Sequence, residues 1–307
     1  MSEQGNGMDA AELKRRIGGA GVWLGGTLVA ATADQARTAT KEIEDLGYGA
    51  LWFGGDLPGA KEALAQAAVL LSATERITVA TGIASIWSRD AAAASSGANV
   101  LAEAWSGRFL LGLGVSHAPA VQARGQDYRK PLSAMRAYLD GMDAMPYYGP
   151  LPAPAPRVLA ALRPRMLELA RDRSAGAHPY FTPPEHTAQA RKALGDAPLL
   201  APEQTVVLDT DPARARATGR AFARTYLGLP NYTNNLRELG WTDADFADGG
   251  SDALIDAIVP WGDVDTVAAR IRAHHAAGAD HVCVQPLADT LERQVADLRA
   301  LAPALLG

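Results

Sequence analysis

Cysteine is almost absent from this chain. Cys283 stands alone among 307 residues, which excludes an internal disulfide and a multi-cysteine zinc site. It lies in the run His281-Val282-Cys283-Val284, so a buried, inert thiol is expected. Aromatic residues are scarce at 6%, and there are only 5 lysines against 24 arginines. Packing must therefore rest on aliphatic side chains and on 62 alanines. With no Lys/Arg cluster and a net charge of −5, the chain does not read as a nucleic-acid binder. No apolar run is long enough to span a membrane, and Met1 to Arg16 lacks the apolar stretch of a secretion signal. A cytoplasmic protein without membrane contact is expected. No H-E-x-x-H or clustered His/Asp/Glu pattern marks a metal site, and no G-x-S-x-G marks a serine nucleophile. His274 and His275 read as surface residues in the middle of a helix.

What is present is a rhythm. Hydrophobic residues make up 48% and charged residues 21%, enough for a large core and too apolar for global disorder. Short β-like runs alternate with amphipathic helical runs. The β runs are Gly21–Leu24, Ala50–Phe53, Ile77–Ile83, Phe109–Val115, Val158–Ala161, Ala177–Phe181, Thr205–Leu208 and His281–Val284. The helix after the first strand is expected from Asp34 as N-cap to Leu46, with Gly47 just beyond its end. Eight β units alternating with helices predict an α/β fold of the (β/α)₈ TIM-barrel type. An open doubly wound sheet is the alternative, but no G-x-G-x-x-G follows the first strand. Residues 1–307 read as one domain. The Pro-rich stretch Pro146–Pro156 reads as a surface loop. Leu229–Gly250, the longest irregular stretch, reads as an insertion before the last strand, the kind of segment that often covers an active site.

In a barrel, chemistry sits at the C-terminal ends of the strands. Those positions carry Gly54-Gly55-Asp56, Gly82 to Ser85, Gly114 to His117, Ala160 to Leu162, Tyr180 to Thr182, and Gln285. Small residues dominate, which suits a flat ligand pressed against backbone rather than a pair of catalytic carboxylates. Trp52 is expected in the core, whereas Trp23 or Trp87 can wall a pocket.

Thr81 to Asp90 and Gly107 to Gly114 resemble segments of the luciferase-like monooxygenase family. Within it the chain is most similar to the branch that uses the deazaflavin coenzyme F-420. The stretches Gly47–Gly55, Thr74–Ile83 and Gly278–Pro286 carry the same resemblance, which spans Gly21 to Pro286. It implies a non-prolyl cis peptide at Gly82-Ile83, forming a bulge behind the central ring of the cofactor. It implies a polar group beside the reactive ring, here Ser116-His117, with His117 as the candidate catalytic residue. It further implies a phosphate site built from Ala160, Ala161 and Leu162 and from Tyr180, Phe181 and Thr182, next to the helix that begins at Pro164. Leu162 replaces a glycine common in the family, and the second loop also lacks its usual glycine. Gly54-Gly55-Asp56 stands where redox members often carry Asp-His or Glu-His. Asp56 is therefore the only polar candidate at that tip, and Ser85 joins the cofactor-binding set at the third.

The function implied is hydride transfer between coenzyme F-420 and a small organic substrate, in a homodimer. The alternatives are an FMN-dependent monooxygenase and a non-catalytic flavin-binding relative.

Overall fold

The computed structural model describes residues 8–150 and 153–307; of the loop 146–156, residues 151–152 lie outside the described part. The strands are β1 (Ala20–Leu24), β2 (Ala50–Phe53), β3 (Thr78–Thr81), β4 (Ala84–Ser85), β5 (Phe109–Gly114), β6 (Arg157–Leu159), β7 (Gly176–Ala177), β8 (Leu199–Leu200), β9 (Glu203–Val206) and β10 (Val282–Pro286). All of their pairings are parallel. The path of paired strands begins at β8 and ends at β9. Only Ala201 and Pro202 separate those two in the chain. Ala201 N donates to Ala177 O and Cys283 N donates to Pro202 O, each at 2.9 Å. The sheet therefore closes on itself, with β3–β4 and β8–β9 each filling one position of an eight-membered barrel, as the alternation of elements predicts.

One irregularity in this sheet shapes the site. β3 pairs with β5 through Ala80 and Leu110, and β4 resumes the pairing through Ala84 and Leu113. Three residues, Thr81 to Ile83, thus face two, Leu111 and Gly112, which is a β-bulge. The Thr81 hydroxyl spans the interruption: Oγ1 donates to Gly112 O at 2.8 Å and accepts from Gly112 N at 2.9 Å. Residue 112 must be glycine, because a Cβ there would lie 1.9 Å from Thr81 O. The Gly82-Ile83 peptide inside the bulge is cis.

The barrel interior is more polar than its apolar composition suggests. Trp52 stacks on His178, with ring centroids 4.4 Å apart, and its Nε1–H donates to His281 Nε2 at 3.2 Å. His178 Nδ1 donates to Ala201 O and His281 Nδ1 to Gly18 O. Burial pushes both imidazoles down to about 4, so they are neutral. Glu203 is also buried here. Its carboxyl is pushed up to about 8 by burial, although Thr205 Oγ1 and Phe181 N donate to it. Cys283 is fully buried, as expected from its strand.

Several local expectations change. The first long helix is Ala33–Asp45, capped by Thr32 rather than Asp34. Thr32 and Gln35 exchange side-chain bonds to each other's backbone N–H, a capping box. Gly47 does follow the helix, at φ +97°. The sixth strand is cut to Gly176–Ala177, and the seventh starts earlier, at Leu199. The insertion is helical, with Pro230–Glu238 and Asp243–Phe246. Pro230 opens its first turn, and Tyr232, Thr233 and Leu236 repeat at helical spacing on its buried face. His274 is not a surface residue. It is fully buried, Nδ1 facing Thr187 Oγ1 and Nε2 facing Gln204 Oε1, each at 2.8 Å.

Candidate functional site

At the C-terminal ends of the strands lies a cavity of about 270 Å³. Its lining includes Gly54, Gly55, Gly82, Gly114, Ala160 and Ala161, so backbone forms much of its surface. The glycines are required by space. A Cβ on Gly82 would come within 2.6 Å of Trp23 Nε1, and one on Gly114 within 2.6 Å of Ile83 Cγ1. Trp23 Nε1 donates to Gly82 O at 3.1 Å and so fixes the bulge against β1. The result is a narrow slot at the tips of β3, β5 and β6, with the side chains of Trp23 and Ile83 packed against its two glycines.

The insertion supplies the opposite wall. Asn231 and Tyr232, from helix Pro230–Glu238, line the cavity together with Tyr226 from helix Pro212–Leu227. His117 stands between this wall and the β5 tip, its ring centroid 5.4 Å from that of Tyr232. Burial lowers the imidazole's pKa, with the neighbouring Asn231 opposing the shift, and Nδ1 is buried with no hydrogen-bond partner among the described residues. His117 is therefore neutral at pH 7 and can give or accept one hydrogen bond through each ring nitrogen.

A family model for luciferase-like monooxygenases matches residues 16–281. The chain belongs to the luciferase-like monooxygenase family. It is 26% identical to a Mycobacterium tuberculosis protein whose name assigns it, provisionally, to the coenzyme F-420-dependent oxidoreductases; the match covers 75% of this chain and 84% of that one. The coenzyme F-420-dependent tetrahydromethanopterin reductase of Methanopyrus kandleri superposes with a TM-score of 0.72 at 16% identity, covering 94% and 99% of the two chains. The oxygenating constituent of the 3,6-diketocamphane monooxygenase of Pseudomonas putida, solved with FMN, gives a TM-score of 0.71 at 14% identity, covering 94% and 96%. These solved structures share the barrel.

Against that family pattern, the barrel gathers most of the residues singled out in the sequence. Gly82, Ile83, Ser116 and His117 line the cavity, as do Ala160, Ala161, Leu162 and Tyr180. Four others do not. Asp56 is buried beneath the β2 tip, where its carboxylate takes both arms of the Arg89 guanidinium at 2.7 and 2.8 Å. It also accepts from Ala63 N and Ser85 N, so it ties loops together and does not line the cavity. Ser85 is likewise buried, its Oγ accepting from Trp87 N. Phe181 packs into an aromatic group with Phe222, Tyr226 and Tyr232. Thr182 is 1% exposed, and its Oγ1 has no hydrogen-bond partner among the described residues. The missing glycine in this loop thus matters: Phe181 fills the space that a bare backbone would leave open.

Trp23 lines the cavity and Trp87 does not. Tyr128, His178, Tyr226, Asn231 and Tyr232 also line it and were not singled out in the sequence. Tyr226 and Tyr232 carry a legible signal, two tyrosines flanking a Pro at a helix start, but reading Leu229–Gly250 as irregular hides it. Arg163 also lines the cavity, beside helix Pro164–Arg173, with Glu238 3.8 Å away. Among the described residues no group of three or more His, Cys, Asp or Glu could hold a metal, and no helix is long and apolar enough to cross a membrane.

Proposed function

We propose that this chain is an oxidoreductase that exchanges hydride between coenzyme F-420 and a small organic substrate. The observation that carries this reading is the slot at the strand tips, lined by the Gly82–Ile83 bulge, Gly114 and Ala160, where Trp23 and Ile83 pack so closely on the two glycines that neither has room for a Cβ. Its flat, largely apolar walls fit a tricyclic ring. When bound, the coenzyme supplies the hydride chemistry, and the protein supplies binding and orientation. Gly82, Ile83 and Ala160 would hold the ring system. Arg163 and the N-terminal turn of helix Pro164–Arg173 would meet the anionic tail, where helix N–H groups and a guanidinium both favour negative charge. His117, neutral and with its Nδ1 buried and unpartnered among the described residues, is the group placed to stabilise charge or move a proton at its imidazole. Tyr232 and Tyr226 exclude water from the same volume. Similarity to the M. tuberculosis and M. kandleri proteins supports the deazaflavin.

FMN is the second reading, favoured by the likeness to the P. putida structure that holds it. A cytoplasmic homodimer belongs to the same proposal. The Ala-rich helix Ala91–Ala104 offers small side chains and an exposed Val100 for close packing, and light scattering reports whether it is used.

The test is a fluorescence titration of the protein with coenzyme F-420 and, separately, with FMN. Saturable binding of coenzyme F-420 is expected. Binding of FMN alone moves the assignment to the second reading, and binding of neither overturns both.

A further inference from the structure

A second cavity, of about 560 Å³, adjoins the first. Trp23, Gly54, Leu57 and Tyr226 line both, so the two volumes meet across the Trp23–Tyr226 side of the barrel mouth. The second is walled mainly by apolar groups, among them Val29, Pro58, Phe222, Leu287 and Ala288. None of its lining residues is ionisable near neutral pH. Lys61 is not among the lining residues, and two of its three ammonium N–H groups go to the carbonyls of Leu28 and Ala31.

Three polar side chains reach this chamber from the β10 side and from the turn after β1: Thr27, Gln285 and Gln294. Two are committed elsewhere. Thr27 Oγ1 donates to Gln294 Oε1, and Gln294 Nε2 donates to Pro286 O at 2.6 Å. Gln285 differs. Its Oε1 accepts from Tyr180 O–H at 2.9 Å, and the Tyr180 oxygen is 3.0 Å from that of Tyr226. Because the Tyr180 proton goes to Gln285, Tyr226 must be the donor to Tyr180. This chain of hydroxyls fixes the amide with its oxygen turned away. Its NH₂ takes no hydrogen bond among the described residues, and it is not among the solvent-shielded polar atoms that lack partners. The free donor of a nearly buried amide is therefore accessible from the chamber.

We infer that this second chamber takes an uncharged, mainly aliphatic or alicyclic molecule whose carbonyl or hydroxyl oxygen accepts a hydrogen bond from Gln285 Nε2. Carboxylates and phosphates are disfavoured, because no lining residue carries a positive charge to replace the water they would lose. The inference rests on the oxidoreductase reading only in naming the occupant a substrate. The chemistry of the chamber stands on its own lining.

The test uses ligand-observed NMR on the intact protein, with cyclohexanone and cyclohexanecarboxylate as probes. Cyclohexanone should bind the wild type, and the carboxylate should bind more than about a hundredfold more weakly. Gln285→Met keeps the bulk and removes the donor, and should weaken the ketone by up to about tenfold. Ala288→Phe, on the rim, fills the chamber and should abolish ketone binding; it serves as the independent check should Gln285→Met fail to fold. Equal or tighter binding of the carboxylate overturns the inference, as does ketone binding indifferent to both substitutions. Titration of Ala288→Phe with coenzyme F-420 separates the two claims. Ala288 does not line the first cavity, so cofactor binding should persist there while the ketone is lost. If the wild type binds the ketone as described but no cofactor, the functional proposal fails and the chamber's chemistry remains.

Discussion

The indole of Trp23 donates to the carbonyl of Gly82, joining the tip of β1 to the bulge at the tip of β3 across one distance of 3.1 Å. The same indole nitrogen would lie 2.6 Å from a Cβ at residue 82, with His178 Nε2 at 3.0 Å. Gly82→Ala should therefore push into two rings, the Trp23 indole and the His178 imidazole, which is itself stacked on Trp52. An overpacked position of this kind costs about 1–3 kcal/mol. Chemical denaturation should show that loss, and the cofactor titration should show weakened binding, because the slot closes from the same side.

Asp56 gives the opposite pattern. It was expected to touch the cofactor, yet its carboxylate is committed to Arg89 and two backbone N–H groups. Asp56→Asn removes one charge of a buried pair, a change that costs at most about 3–5 kcal/mol, lessened because Arg89 keeps its second partner, Glu62. Denaturation should report the loss, whereas cofactor affinity, measured under conditions where the variant is folded, should stay within about twofold of wild type, since no hydrogen bond to the ligand is lost. A large selective loss of affinity would return Asp56 to the binding site.

Glu203 makes stability depend on pH. Its carboxyl is pushed up to about 8 in the fold from an ordinary 4.5. Between those values the unfolded chain releases a proton that the folded chain keeps, so this group lowers stability as pH rises through the window. The slope is about 1 kcal/mol per pH unit. Glu203→Gln lacks it. Urea unfolding of both proteins from pH 5 to pH 8 should show the variant gaining on the wild type as pH rises. A constant difference would contradict the buried, protonated carboxyl.

His117 owes its lowered pKa to burial, and Asn231 pulls in the other direction. Asn231→Leu keeps the site covered and removes that opposition. The imidazole, followed by NMR, should then titrate at still lower pH than in the wild type. A rise would mean that Asn231 does not oppose the shift.

The barrel was legible because it is repetitive: alternating strand and helix runs, with Gly or Pro at the breaks, report closure without any long-range information. The bulge was legible only by resemblance, since the extra residue between Ala80 and Ala84 is defined by its partner strand. The cavity's inner lining came from strand tips, whose positions follow from the fold. Its outer wall did not. Asn231 and Tyr232 reach the site from a helix that begins in a stretch rich in Asn, Gly and Asp, where turn-forming residues mask the helical spacing of Tyr232, Thr233 and Leu236. Nor could spacing show that Asp56 would meet Arg89, because that pairing forms across two separate loops. His274 was misplaced for a related reason. A histidine beside another in a helix looks solvated until Thr187 and Gln204 arrive from other elements.

The central claim is that the slot beside Gly82 and Ile83 is where coenzyme F-420 binds, and Ala160→Phe tests it most directly. Ala160 lines that slot near Gly114, whose Cβ would lie 3.3 Å from the Ala160 Cβ. A phenyl ring there should occupy the ring's place while leaving Arg163 and helix Pro164–Arg173 intact. Calorimetric titration with coenzyme F-420 should give saturable binding to the wild type and none to the folded variant. Equal affinity in the two proteins would place the cofactor elsewhere and contradict the account.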